Sequence, residues 1–311
     1  MISSLSASDF SASDQIFLAG VNQIQQQIST ANQQLTSGLK VSVASDAPDQ
    51  IDDLLQLRAD QAQNTQIAGN LGTEQTNAQA ADGALGSAIQ LMDNATQLAA
   101  EGANTSETST SLQTLAQQVG SLQTEMVNLS QTQVQGRYIF SGDLDQGPSY
   151  QLNLTSTDGV DQLTNAATTR QIQDPSGGTF SPSMTAQQIF ASQNADGTDA
   201  GSNVFAALNN LRTALLNNDQ AGITAAQSNL QQASVQLNTA QSFYGNVENR
   251  IQNATTNVTT YDSHLTVEIG GIQDADATSA AIELTQANTQ LQAAFEAQGK
   301  MPTSSLFDFL G

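Results

Sequence analysis

The chain has 311 residues, of which 29 are acidic and 7 are basic, and its net charge at pH 7 is −22. Binding of nucleic acid or of anionic lipid needs a basic patch, so this charge excludes both. Only 38% of the residues are hydrophobic, which predicts narrow helical seams in place of one large core.

Cysteine is absent from the sequence, which excludes disulfides and thiolate metal sites. A cysteine-free chain suits an oxidising exterior or passage, unfolded, through a narrow exporter. Residues 1–6 have neither the basic nor the apolar region of a Sec signal, and no run of about 18 apolar residues could insert into a membrane. If the protein is extracellular, we therefore expect it to leave the cell by a route that does not use a cleaved signal peptide.

The first predicted helix carries a heptad pattern. Phe10, Phe17 and Ile24 recur at seven-residue intervals, and a second apolar line accompanies them on the same face. This second line consists of Val21, Ile28 and Leu35. Gly38 can take the left-handed conformation that ends a helix, and Pro48 suits the first position of the next one.

Two more helical segments precede residue 137. The segment from Ile51 is rich in alanine and is weakened by glycines, so it needs a neighbouring helix. After a polar turn at 102–110, a regular seam predicts a helix that ends at Gly136. The apolar positions of this seam are Leu112, Leu115, Val119, Leu122, Met126 and Leu129.

The longest seam covers residues 223–265, where the apolar steps alternate between three and four residues. Alanine at many of the second positions lets a partner helix approach closely. We expect the 112–129 segment to be that partner, with the helix from Ile51 as a third side. The larger seam residues are Ile223, Leu230, Leu237, Tyr244, Val247, Ile251, Val258 and Leu265.

The last predicted helix is separated from the long one by Gly270-Gly271, and either Asp274 or Asp276 can cap it. Pro302 ends it and leaves an apolar tail. We expect other copies to cover the apolar residues at both chain ends, although folding back onto the chain's own helices is the alternative. The predicted assembly interface consists of Phe10, Phe17, Val21, Ile24, Ile28, Leu35, Leu284, Leu291, Leu306, Phe307, Phe309 and Leu310.

The segment 143–203 lacks heptads and is rich in Gly, Asp, Pro, Ser and Thr, which predicts strands and loops. The predicted fold is mainly α: an elongated antiparallel helical coiled-coil rod built from both termini, with a small β-rich inserted domain in the middle. Its expected parts are an N-terminal assembly helix (1–45), the N-terminal half of the rod (46–142), the inserted outer domain (143–203), the C-terminal half of the rod (204–269) and a C-terminal assembly helix with its tail (270–311).

Residues suited to catalysis or metal binding are scarce. His264 is the only histidine, and we interpret it as a surface residue of the long helix in preference to a catalytic one. Asp143 and Asp145 could bind a cation but suit a solvated turn, and the pair Asp274 and Asp276 lacks the glycine and glutamate of a calcium loop. We therefore expect no catalytic residue, metal or cofactor, and a protein that is not an enzyme.

Several local stretches resemble the flagellin superfamily of bacterial flagellar proteins. These stretches are Gln34-Leu35-Thr36-Ser37-Gly38-Leu39-Lys40, Ser45-Asp46-Ala47-Pro48, Tyr244-Gly245-Asn246-Val247-Glu248-Asn249-Arg250-Ile251, Asp274-Ala275-Asp276 and the Ser305-Leu306 ending. Heptad termini around a variable insert and the absence of cysteine add to the resemblance. It covers roughly residues 1–142 and 203–311 and leaves the insert out.

Within the superfamily, one segment resembles the hook-filament junction proteins (the hook-associated protein 3 family). It is Gly136-Arg137-Tyr138-Ile139-Phe140-Ser141-Gly142. Flagellins usually carry a Phe-Asn-Gly segment in this place, and this chain has none. The start Met1-Ile2-Ser3 and the residue Ala47 depart from the junction pattern.

The resemblance implies a structural subunit that the flagellar type III export apparatus secretes with the help of a chaperone. Copies would assemble as a ring between hook and filament, next to a neighbouring hook-associated protein and flagellin. The terminal helices would form the inner layers, and the insert would face outward. A flagellin is the nearest alternative, and a cytoplasmic coiled-coil scaffold is an alternative from a different class.

Overall fold

The computed structural model describes residues 7–300 except 105, 167 and 176, with side chains from residue 15 onward. The helices in this part of the chain are α1 (Ala7–Ser37), α2 (Ile51–Gly102), α3 (Ser109–Ser130), α4 (Ala186–Phe190), α5 (Val204–Leu216), α6 (Gln220–Gln273) and α7 (Ala277–Gly299). The strands are β1 (Gln133–Val134), β2 (Arg137–Tyr138), β3 (Tyr150–Leu152), β4 (Val160–Gln162), β5 (Ile172–Gln173) and β6 (Thr179–Phe180). Helices from both ends of the chain thus flank a small strand-containing middle, which confirms the predicted mainly α fold class.

The strands form three separate antiparallel pairs, β1 with β2, β3 with β4 and β5 with β6. In the second pair Tyr150 lies opposite Gln162, and in the third Ile172 lies opposite Phe180. An isolated two-stranded pair is only marginally stable in water. Packing against the helices must therefore hold these pairs in place.

The chain divides into two compact units. The central unit consists of Gln63–Tyr261, and the terminal unit consists of Met1–Ala62 with Asp262–Gly311. Helices α2 and α6 contribute residues to each unit, and the predicted division into five parts stays a prediction. None of the described helices combines the length and the apolar character needed to cross a membrane.

In the central unit, α2 and α6 run antiparallel. Asn64 Nδ2 of α2 donates to Val258 O of α6 over 2.9 Å. At the other end of α2, the side-chain amide of Gln220, the first residue of α6, donates to the carbonyl oxygen of Ala103, the residue after α2. Alanines of α2 are buried in the same core, so the two helices can approach closely. The predicted seam residues of α6 in this unit are buried: Ile223, Leu230, Leu237, Tyr244, Val247, Ile251 and Val258.

Helix α3 packs directly against α5, a neighbour that the seam spacing did not predict. Its seam residues Leu112, Leu115, Val119 and Met126 are buried, and Leu122 and Leu129 are half-buried. The first part of α5 is enclosed on all sides and belongs to the core, whereas Asn210 and Thr213 farther along the helix are exposed. The first six residues of α5 are all buried, and Asn203 Oδ1 caps the helix by accepting from Ala206 N over 3.0 Å.

The middle region shares its core with the helices through an aromatic cluster, which consists of Phe140, Tyr150, Phe190, Phe205 and Tyr244. The Phe140 ring lies edge-on to Phe190 and Tyr244, with centroid distances of 5.6 and 6.2 Å. Phe205 of α5 stacks on Phe190 at 5.8 Å and contacts Tyr150 at 5.2 Å. About 60 residues are too few for a robust core of their own, and this cluster supplies the missing apolar contacts.

Two predicted helix ends are wrong. Helix α3 ends at Ser130 and not at Gly136, and its C-cap is Gln131. Strand β1 follows, and Gln135 and Gly136, with positive φ angles of 52° and 76°, form the two-residue hairpin turn between β1 and β2. Helix α6 continues through Gly270-Gly271 to Gln273. Two glycines cost a helix only about 1 kcal/mol each, which the helical hydrogen bonds and packing on either side can offset.

Candidate assembly interface

In the terminal unit, the connecting segment after α1 pairs with the connecting segment between α6 and α7. Gly38 ends α1 with a φ of 72°, and its N–H donates to Gln34 O over 2.8 Å. Lys40 N donates to Gln273 O over 2.7 Å, and Ala275 N donates to Gly38 O over 2.8 Å. We name this pairing of residues 38–41 with 273–275 the clasp. It sets the register of α1 against α7, because α1 ends and α7 begins within a few residues of it.

Carboxylates fix the turns beside the clasp. Asp276 caps α7 by accepting from the N–H groups of Thr278 and Ser279 over 2.8 and 3.3 Å. Hydrogen bonds from the Ser279 hydroxyl and from these N–H groups lower the pKa of Asp276. Asp46 accepts from two backbone N–H groups of its own turn, which lowers its pKa in the same way. Of the two predicted cap residues, Asp274 and Asp276, it is thus Asp276 that caps α7.

Helices α1 and α7 run antiparallel and pack against each other. Away from the clasp, the rings of Phe17 and Phe295 meet edge to face with centroids 6.1 Å apart. Small side chains at the centre of the seam let the two helices approach closely. The buried residues of this seam are Val21, Ala31, Ala280 and Ala287.

The predicted assembly residues with described side chains are, except for Leu35, buried or half-buried in α1 and α7. Val21 is buried, and Leu35 is exposed near the C-terminal end of α1. The half-buried ones are Phe17, Ile24, Ile28, Leu284 and Leu291. The Phe10 side chain and the tail residues Leu306, Phe307, Phe309 and Leu310 lie outside the described residues. Two helices that pack against each other cover only part of such side chains, so α1 and α7 keep apolar surface that is exposed to solvent. The burial of this surface by another copy stays a prediction.

Large apolar side chains that the heptads did not predict are exposed on the same two helices. Ile16 is 73% exposed and Leu18 is 57% exposed, and they flank Phe17 on α1. On α7, Ile282 and Phe295 are also more than half exposed. Residues directly before and after a seam residue lie on other faces of the helix. Ile16 and Leu18, which flank Phe17, could therefore have been predicted from the sequence to be exposed. Apolar groups that cluster on a protein surface are typical of interaction sites, and the assembly role of these residues stays a prediction.

Helix α1 has no charged side chain between residues 15 and 37, although the chain carries a net charge of −22. Its exposed positions there are mainly Gln, Asn, Ser and Thr. Copies of an acidic protein repel one another, but an uncharged helix can approach a second copy without that repulsion. The outer face of α1 is therefore well suited to contact between copies.

The segment 136–142 has structural roles in the central unit. Phe140 is fully buried in the aromatic cluster, and Arg137 Nη1 lies 3.0 Å from Asp145 Oδ2. Gly142 has a φ of 58°, and a Cβ there would lie 2.6 Å from a backbone carbonyl oxygen, so only glycine fits. The segment thus fastens the start of the middle region to the helices.

The one histidine of the chain lies on the surface of α6. Leu265, the last predicted seam residue of α6, is buried, and its neighbour His264 is exposed. Among the described residues, no group of three or more His, Cys, Asp or Glu side chains could hold a metal ion.

The fold defines a class, that of mainly helical proteins in which a helix from the N-terminal part of the chain, α1, packs against one from the C-terminal part, α7. The bacterial flagellin N-terminal helical region matches residues 11–145, and the bacterial flagellin C-terminal helical region matches residues 227–310. The two matches cover well over half of the chain, so the protein belongs to the bacterial flagellin family and is a structural component of the flagellum.

Solved structures share the fold. A protein of Vibrio parahaemolyticus described as a flagellar hook-associated protein is 19% identical, with a TM-score of 0.63 over 74% of this chain and 100% of that chain. FlgL of Xanthomonas campestris is 17% identical, with a TM-score of 0.56 over 68% and 98%. FlgL of Bacillus cereus is 16% identical, with a TM-score of 0.52 over 70% and 100%. The search of curated protein sequences gave no match.

Proposed function

We propose that the chain is the subunit that joins the flagellar hook to the filament, by self-assembly of its terminal helices and without catalysis. The observation that carries this proposal is the α1–α7 seam, which the clasp closes within one chain but which leaves apolar side chains half-buried or exposed. Family membership supplies the flagellum as the context. The fold shared with hook-associated and FlgL structures favours the junction over other positions in it.

Copies of the subunit would form a ring, with a neighbouring hook-associated protein on one side and flagellin on the other. An export chaperone and the type III export apparatus would deliver it to the extracellular flagellum without a cleaved signal peptide. The uncharged face of α1 supports close contact between copies in such a ring, because the remaining acidic surface would oppose it. Nucleic acid and membrane insertion have no place in this proposal, since the surface is acidic.

Flagellin, the filament subunit, is the second candidate, because both matched regions are described from flagellins. The segment 136–142 favours the junction protein, since it replaces the Phe-Asn-Gly segment of flagellins. Family membership argues against the cytoplasmic coiled-coil scaffold.

A deletion of the gene separates the two candidates. Loss of the junction subunit should leave hooks without filaments and flagellin shed into the medium. Loss of one flagellin should leave capped hooks and no shed flagellin. Electron microscopy with an antibody against residues 143–203 should label the hook end in wild-type cells, and label along the whole filament would refute the junction assignment.

A further inference from the structure

A cleft of about 310 Å³ opens in the central unit beside α2. Glu74 and Asn77 of α2 line it from one helix, and Arg137, Asp145 and Arg170 line it from the segments that follow α3. Two of the 7 basic residues of the chain thus meet at one place. The proposed function does not use this cleft.

One buried carboxylate holds both arginines. Arg137 Nη1 lies 3.0 Å from Asp145 Oδ2, and Arg170 Nη2 binds the same oxygen. Burial works against the charge of Asp145, but hydrogen bonds from Gln146 and Arg137 and the charge of Arg170 lower its pKa. The Asp145 side chain is only 8% exposed, whereas those of Arg137 and Arg170 are 55% and 44% exposed.

This arrangement leaves binding capacity in the cleft. Asp145 neutralises one of the two positive charges, and its second oxygen already accepts from Gln146 Nε2 over 3.0 Å. A guanidinium group has five N–H donors, so Arg137 and Arg170 each keep donors that Asp145 does not occupy. By contrast, the guanidinium of Arg250 lies 3.9 Å over the Phe180 ring and is engaged there.

Glu74 limits the kind of ligand that fits. It accepts from Asn77 Nδ2 over 3.2 Å, and within the described part of the chain it forms no ion pair with Arg137 or Arg170. A bare anion beside the arginines would be repelled by Glu74. A peptide that offers a carboxylate to the arginines and an N–H donor to Glu74 would satisfy both.

We propose that the cleft receives an Asp or Glu side chain from a second copy of this chain, together with an N–H group of the same segment that donates to Glu74. Each copy carries 29 acidic and 7 basic residues, so a neighbouring copy offers carboxylates in excess and has few cationic places to receive them. Such a contact fixes the orientation of neighbours more than it adds affinity. This inference rests on the proposed function, because copies must lie side by side.

Photo-cross-linking tests the contact in assembled flagella. Tyr138 lines the cleft, so the full chain is expressed in motile cells with Tyr138→p-benzoylphenylalanine, as a mixture of isotopically light and heavy copies. After irradiation of isolated flagella, we expect light–heavy cross-links to a peptide that contains Asp or Glu. Arg137→Gln with Arg170→Gln should lower the yield at least tenfold, whereas Arg250→Gln should leave it unchanged.

A second variant guards against misfolding of the arginine pair. Glu74→Ala leaves both ion pairs to Asp145 in place, and it should lower the same cross-link several-fold. Cross-links only within one copy, or only to a different flagellar protein, would overturn the inference while the subunit is still found in isolated flagella. A subunit that never enters flagella would refute the proposed function, and the inference with it.

Discussion

Replacement of Ile16 and Leu18 by Gln should weaken assembly by about two orders of magnitude and leave the folded monomer intact. Complete burial of an Ile or Leu side chain is worth about 1.5–3 kcal/mol. With 73% and 57% of these residues still exposed, their burial against another copy would contribute roughly 2–4 kcal/mol in total. At about 1.4 kcal/mol per factor of ten, this corresponds to a roughly 30- to 700-fold loss.

The monomer should tolerate the change, because both side chains already face water and Gln is a good helix former. The assay compares two tagged versions expressed together, one with the original sequence and one with Ile16→Gln and Leu18→Gln. Their ratio in isolated flagella is divided by their ratio among unassembled subunits in the medium. This division removes any effect on export, and the quotient gives the change in assembly free energy.

A matched control is Val235→Gln, which changes a 65% exposed apolar residue of α6 in the central unit. The control should enter flagella as well as the original chain. Incorporation of the double variant at the original ratio would refute the assignment of the outer α1 face to contacts between copies. If the control lost incorporation to the same extent, any exposed apolar residue would contribute to incorporation into flagella. That result would refute a special role of α1.

Three further predictions concern the folded chain. Phe140→Ala should lower the free energy of unfolding of the central unit by about 3–5 kcal/mol in urea melts followed by circular dichroism. Leu144→Ala, at a residue 46% exposed, should change it by less than about 0.5 kcal/mol, and equal losses would contradict the role of the aromatic cluster. Tyr244→Phe removes the hydroxyl that accepts from Met184 N over 3.2 Å, so the same melts should show a loss of about 1–3 kcal/mol; no loss would mean that the bond does not stabilise the fold. The lowered pKa of Asp276 makes its cap stabilising above the unfolded value near 3.8, and that stabilisation is lost as the pH falls through the folded value. Asp276→Asn caps without titrating, so the helicity of this variant should fall less than that of the original chain as the pH is lowered below the unfolded value, and identical pH profiles would exclude this role.

Elements that depend on residues close in sequence were predictable. The three- and four-residue steps of the α6 seam place its apolar side chains on one face, and from Ile223 to Val258 its larger members are buried. Gly38 ends α1 as predicted, since only the local conformation of one residue is involved. The positive φ at Gln135 was not predicted, because a glutamine, unlike a glycine, has no preference for the left-handed conformation.

The choice of partners was not predictable in the same way. A heptad seam indicates which face of a helix is apolar, but many helices in one chain can satisfy that face, so the packing of α3 on α5 emerged only from the structure. The clasp joins Gly38 to Ala275. No pattern in the sequence of either connecting segment predicts that it pairs with the other.

The candidate sites also differ in whether they depend on residues that are close in sequence or on residues that only the folded chain brings together. The sequence by itself determined the uncharged stretch 15–37 of α1 and its apolar seam, because composition and spacing are properties of one segment. Only the tertiary structure decided which of those side chains remain exposed, and it alone brought Arg170 to Asp145, 25 residues away, in a segment without periodicity. Burial and ion pairing depend on distances between segments, and those distances exist only after the whole chain has folded.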